Sequence, residues 1–150
     1  MRLVFLVLGI GAALASSSAI AQVVQPGEWE MVSTATSIDM PGAPPRIAQM
    51  MKGRPTRISW CITPEKARLG PRSLTKENKN CRYSRFDVRG NHIDMQLICN
   101  QPGGGTTTVT SSGSFTPVSF VSNGRSVMTG RQKMTITSHA EGHRVSDCRK

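Results

Sequence analysis

The residues of this chain that could do chemistry are four cysteines, three histidines and nine carboxylates. The most suggestive is Cys61, in the stretch WCITPEKA at residues 60–67. It stands two residues ahead of Thr63-Pro64-Glu65, which reads as a helix start. Thr63 is a good N-cap, Pro64 suits the first helical position, and Glu65 suits the positive end of the helix dipole. Gly70-Pro71 stops that helix within two turns. A free thiol at a helix N-terminus is acidic and nucleophilic. Cys61 is therefore either a reactive centre or half of a disulfide.

The histidines offer metal chemistry. His139 and His143 are four apart, a spacing that makes two ligands on a helix. Here SHAEGHRV contains Gly142 and reads as a turn between strands, in which His139, Glu141 and His143 could still converge. Imidazoles and the thioethers of an exported Met-rich protein suit copper. Against this, Met31, Met95, Met128 and Met134 read as strand core and the histidines, including His92, as surface. The carboxylates are scattered from Glu28 to Asp147. Glu28 and Glu30 share the outer face if Trp29 points inward, and no tuned acid/base pair is evident. There is no G-x-S-x-G and no phosphate-cradling loop. A non-catalytic protein without a cofactor is the expectation.

The compartment decides between the two fates of Cys61. Arg2, the apolar run LVFLVLGIGAALA and the small-x-small site Ala19-Ile20-Ala21 form a secretory leader, cleaved after Ala21. The run is too short for a span, which takes about 20 residues. Residues 1–21 are thus the signal peptide and 22–150 a single secreted, soluble domain, periplasmic in location. An even number of cysteines in such a chain reads as two bridges. No C-x-x-C occurs, so neither a redox motif nor a zinc knuckle is present.

The formal net charge is +10, and the part beyond Arg2 holds +9. All of that excess lies in residues 46–89, with twelve Lys/Arg against Glu65, Glu77 and Asp87. Arg46, Lys52, Arg54, Arg57, Lys66, Arg68, Arg72, Lys76 and Lys79 are the expected basic surface. Such a zone attracts anions. In an exported protein these are anionic envelope components or an acidic protein partner, not nucleic acid.

Elements must position these groups. GEWEMVSTATSID reads as a strand, MPGAPP as a break, Arg46–Gly53 as a short helical turn or loop, and RPTRISWC as a second strand. SLTKENKN reads as a polar loop. In CRYSRFDVRGNHIDMQLIC, Gly90-Asn91 reads as a two-residue hairpin turn. It pairs Val88 with Ile93 and Phe86 with Met95. Continued strictly, that register puts Cys81 and Cys99 on opposite faces. Apolar parity switches from odd at Cys81 and Tyr83 to even at Phe86 and Val88, so a β-bulge near Ser84-Arg85 is expected. It places Tyr83 opposite Leu97 and Cys81 opposite Cys99. A Cys81–Cys99 disulfide follows, and Cys61–Cys148 by elimination. Beyond Cys99, Val109 and Phe115 share one parity, and Met128, Met134 and Ile136 another single face. Asn123-Gly124 reads as a tight turn and GHRVSDCRK as a last short strand.

Several of these pieces carry a resemblance. PGEWE at 26–30, MPGAPP at 40–45, CITPE at 61–65, the Cys81–Cys99 segment and the terminal Asp147-Cys148 resemble a family of small exported proteobacterial proteins catalogued as domain of unknown function family 3617. Members usually carry a longer Met-Pro-Gly repeat after the first strand, reduced here to one unit followed by Met50-Met51. The resemblance implies a secreted β-rich domain and no activity.

The expected fold is all-β: an antiparallel up-and-down meander curling into a partial or closed small barrel, with one short helix after Cys61 and two disulfides. The expected role is a non-catalytic binding or structural module contacting anionic envelope components through residues 46–89. A carrier of small apolar ligands in the barrel interior is the alternative, and a copper-binding protein the third. The inner residues either line a cavity or fill it. With so few aromatics, a filled core is the expectation.

Overall fold

A computed structural model of the chain describes residues 23–74, 79–131 and 133–149. The leader and residues 75–78 in the middle of the SLTKENKN segment, with Lys76 of the expected basic surface, lie outside the described residues. Seven antiparallel strands form one sheet: β1 (Gly27–Asp39), β2 (Pro55–Ile62), β3 (Cys81–Arg89), β4 (His92–Asn100), β5 (Thr106–Phe115), β6 (Ser119–Met128) and β7 (Met134–Ser146). Their order is β2-β1-β7-β6-β5-β4-β3. From β3 to β7 this is the expected meander. β1 then docks on β7, with β2 outside it. The edge strands β2 and β3 do not pair, so the barrel is partial.

The hairpin register is as expected. Cys81 faces Cys99, Tyr83 faces Leu97, Phe86 faces Met95 and Val88 faces Ile93, with the register shift between Tyr83 and Arg85. Gly90 takes the positive φ of 60° that a two-residue hairpin turn with glycine first requires. Disulfides join Cys81 to Cys99 and Cys61 to Cys148.

Two turn assignments are corrected. Asn123-Gly124 lies inside β6, and the segment containing His139, Gly142 and His143 lies inside the 13-residue β7. The residues after Gly142 therefore continue β7 rather than start a further strand. Asn123 faces Ser112 and His139, and Gly124 faces Ser111 and Ser138. Both sides of the segment are thus occupied by sheet hydrogen bonds, and neither residue has the positive φ of a tight hairpin turn.

The predicted helix after Cys61 is α2 (Pro64–Ala67). Thr63 caps it by accepting from the Lys66 amide at 3.3 Å. The chain then continues as a 3-10 turn over Gly70–Leu74, in which Ser73 and Leu74 are buried rather than part of a polar loop. A further helix, α1 (Pro45–Met51), occupies the ambiguous segment between β1 and β2.

The core is small and sits at one end of the sheet. Val24, Trp29, Ile62, Ala67, Leu74 and Phe115 form it, with Trp60, Ile93 and Phe120 packed against it. Trp29 is fully buried, stacks on Phe120 at 6.3 Å, and donates its indole N–H to the Gln25 carbonyl. Gly142 permits that stack, because a Cβ there would lie 2.2 Å from the Phe120 ring.

Candidate functional site

The concave face of the sheet follows from the register. Across four strands, Gly113, Ser122, Ala140 and Ser33 form one inward row. Ser111, Gly124, Ser138 and Ala35 form the next. Every residue in both rows is small. Larger side chains bound them on either side: Phe115, Phe120, Met31 and Ile58 in one flanking row, Leu97, Val109 and Ile136 in the other. Large groups around a small-residue floor leave a hollow.

That hollow is a cavity of about 490 Å³, to which all seven strands contribute. Its apolar walls include Met31, Ile58, Trp60, Phe86, Met95, Leu97 and Phe120, and its hydroxyls come from serines such as Ser33, Ser122, Ser126 and Ser138. The expectation of a filled interior is therefore corrected. Binding pockets for small organic molecules run to roughly 300–1,000 Å³ and are mostly apolar with a few polar groups. No buried side-chain nitrogen or oxygen among the described residues lacks a hydrogen-bond partner.

The open side of the sheet is spanned by the 3-10 turn of the connection from β2 to β3. Pro71 and Leu74 of its 3-10 turn line the cavity. On the β2 side, Trp60 donates its indole N–H to the Ser73 carbonyl at 3.3 Å. On the β3 side, the Arg72 guanidinium lies over the rings of Phe86 and Tyr83, 4.9 and 5.6 Å from their centroids. The 3-10 turn thus bridges two edges that do not hydrogen-bond to each other. The connection leaves β2 after Cys61 and enters β3 at Cys81. Each is a half-cystine, so both ends are covalently held. Cys61 has no free thiol, and its reactive-centre reading falls with that bond.

The basic residues do not form one patch. Arg46, Lys52 and Arg54 surround α1 at the start of β2, while Lys66, Arg68 and Arg72 follow its other end. Lys79 is exposed just ahead of β3, at the opposite edge of the sheet. Arg57 pairs with Glu30 across β1 and β2 at 2.6 Å. An eight-residue strand separates the two main groups, a span of about 25 Å.

The histidines lie on the outer face. His139 and His143 sit four residues apart on the extended β7, about 13 Å along the strand, so they cannot share an ion. His139 contacts Asn123 at 2.9 Å and Glu141 at 3.1 Å. His92 brings its Nε2 to 3.1 Å from the Ser112 hydroxyl and 3.6 Å from Asp94. Both neighbours approach the same ring nitrogen, so this Ser-His-Asp group lacks the relay in which each imidazole nitrogen has its own partner. No cluster of three or more His, Cys, Asp or Glu side chains able to hold a metal occurs among the described residues. No helix among them is long and apolar enough to cross a membrane.

The small-residue rows went unread in the sequence, where Ser and Gly within TTTVTSSGSF and SFVSNGRSVM resemble linker composition. The available signal was their parity: Ser111 and Gly113 share that of Val109 and Phe115, as Gly124 and Ser126 share that of Met128. Among known proteins, the family model described as "Protein of unknown function (DUF3617)" matches residues 24–148. No curated protein and no solved structure matches the chain.

Proposed function

The chain belongs to the DUF3617 family, and from that premise we propose that it binds a small, mainly apolar molecule in the concave face of its sheet. It does so as a non-catalytic carrier of the periplasm, exported by the leader at residues 1–21. The observation that carries this reading is the pair of small-residue rows beneath a cavity of about 490 Å³. A protein that used this face only as core would fill it, since each buried CH₂ contributes about 0.8 kcal/mol. The interior serines are suited to a ligand with one or two hydroxyl or carbonyl groups.

The test uses an uncharged fluorophore, N-phenyl-1-naphthylamine, so that the basic surface plays no part. Saturable binding near one molecule per chain is expected, with a change in tryptophan emission because Trp60 lines the cavity. It should be insensitive to salt, unlike contact with an anionic surface. Gly124→Leu grows a side chain into the cavity from a position where a Cβ makes only ordinary contact, 3.5 Å from the Thr110 carbonyl. It should weaken binding at least tenfold without lowering Tm. Absence of saturable binding, or equal binding by the variant, refutes the reading.

A further inference from the structure

We propose that α1 and its cationic flanks are a docking site for an anionic lipid bilayer. The role as a place of ligand exchange rests on the carrier reading above; the docking site itself does not. α1 has no buried residue. Ile47, Met50 and Met51 are spaced i, i+3, i+4 and so share one helix face. That face is turned to solvent, with Ile47 43%, Met50 58% and Met51 40% exposed. A surface helix ordinarily turns its apolar stripe to the core. Here the core is at the other end of β1, around Trp29, and the stripe lies outside it.

Charge identifies the occupant. From Met40 to Arg57 the chain contains Arg46, Lys52, Arg54 and Arg57 and no Asp or Glu. Arg57 is engaged by Glu30, while Arg46, Lys52 and Arg54 are exposed at the two ends of the helix. Apolar side chains between cations match the boundary of an anionic bilayer, where acyl chains lie beneath negative headgroups. The same charges repel a second copy of this face. The placement suits exchange, because the β1–β2 hairpin that carries α1 also supplies Met31, Ser33, Ile58 and Trp60 to the cavity. The Gly53 amide, just beyond α1, is tied to the Ala35 carbonyl of β1 at 2.9 Å.

Flotation of the processed protein with vesicles tests this. Binding to phosphatidylglycerol vesicles at low salt is expected, at least tenfold tighter than to phosphatidylcholine. The triple variant Ile47→Ser, Met50→Ser, Met51→Ser and the double variant Lys52→Glu, Arg54→Glu should each lose at least tenfold while keeping the wild-type Tm, since all five side chains are exposed. Gly124→Leu should float as wild type while losing the naphthylamine, so failure of docking and failure of the carrier reading are distinguishable. No binding to phosphatidylglycerol overturns the proposal. Undiminished binding by the triple variant overturns it too, as adsorption by charge alone. So does an α1-dependent dimer in sedimentation, or capture of an acidic protein through α1 without vesicle binding.

Discussion

Asp94, on the outer face, is a carboxylate whose surroundings favour its charge. A hydrogen bond with Ser112 lowers its pKa first, and His92, Arg85 and Arg89 add to the effect. The folded value lies below the unfolded one, so the stability this group contributes is present above the ordinary Asp value of about 4 and lost as pH falls through the lower folded value. Its solvent exposure keeps that contribution small. Ser112→Ala should therefore raise the Asp94 pKa toward the ordinary value, read by carboxyl NMR titration. An unchanged titration would show that the cations, not the hydroxyl, set it. Glu65 is lowered in the same direction, first by Thr63, whose side chain also caps α2. The helix-start chemistry legible around Cys61 thus stands, although it acts on a helix cap and not on a thiol.

At the scale of elements, two glycines of the concave face have different duties. A Cβ on Gly113 would lie 2.1 Å from the Val121 carbonyl oxygen, so β5 and β6 approach there as only glycine allows. Gly113→Ala should destabilise the fold by about 1–3 kcal/mol, the usual cost of overpacking. At Gly124 the nearest atom is 3.5 Å away, so Gly124→Ala should be neutral or stabilising by under about 1 kcal/mol. Urea denaturation of the pair measures both, and equal losses would mean that the second glycine also serves the backbone. The hairpin β3–β4 was legible to the residue because its partners are near in sequence and its parity switch has one simple remedy, the bulge beside Ser84. The Asn123-Gly124 turn was misread because a turn dipeptide signals only local preference. Two flanking strands, β5 and β7, override it.

For the whole molecule, the disulfides hold the connection that bridges the open side of the sheet. Cys61 and Cys148 are 87 residues apart, and Cys81 and Cys99 18 apart. In the chain-entropy account the longer loop is worth about 4–5 kcal/mol and the shorter about 3. Cys61→Ala with Cys148→Ala should therefore lower unfolding free energy more than Cys81→Ala with Cys99→Ala. A reversed order in denaturant titrations would show that the hairpin bridge does more than close a loop. The first double variant should also weaken naphthylamine binding, because the 3-10 turn that walls the cavity lies on the connection that Cys61 anchors at its β2 end.

Strand alternation, the bulge and both cysteine pairings were determined by the sequence alone. The alternation, the bulge and Cys81–Cys99 follow from a side-chain period of two and from parity along neighbouring stretches, and Cys61–Cys148 follows from the even cysteine count by elimination. The tertiary structure decided what depends on distant registers. Docking of β1 on β7 aligned Ser33 and Ala35 with Ala140 and Ser138 more than 100 residues away, and so turned scattered small residues into the floor of a cavity. Interposing β2 between basic segments that are close in sequence divided one apparent zone of charge into separate groups. A small side chain in a strand carries no sign of whether a large one will stand opposite it. Only the register supplies the partner, and with it the difference between a packed core and a space that can hold a ligand.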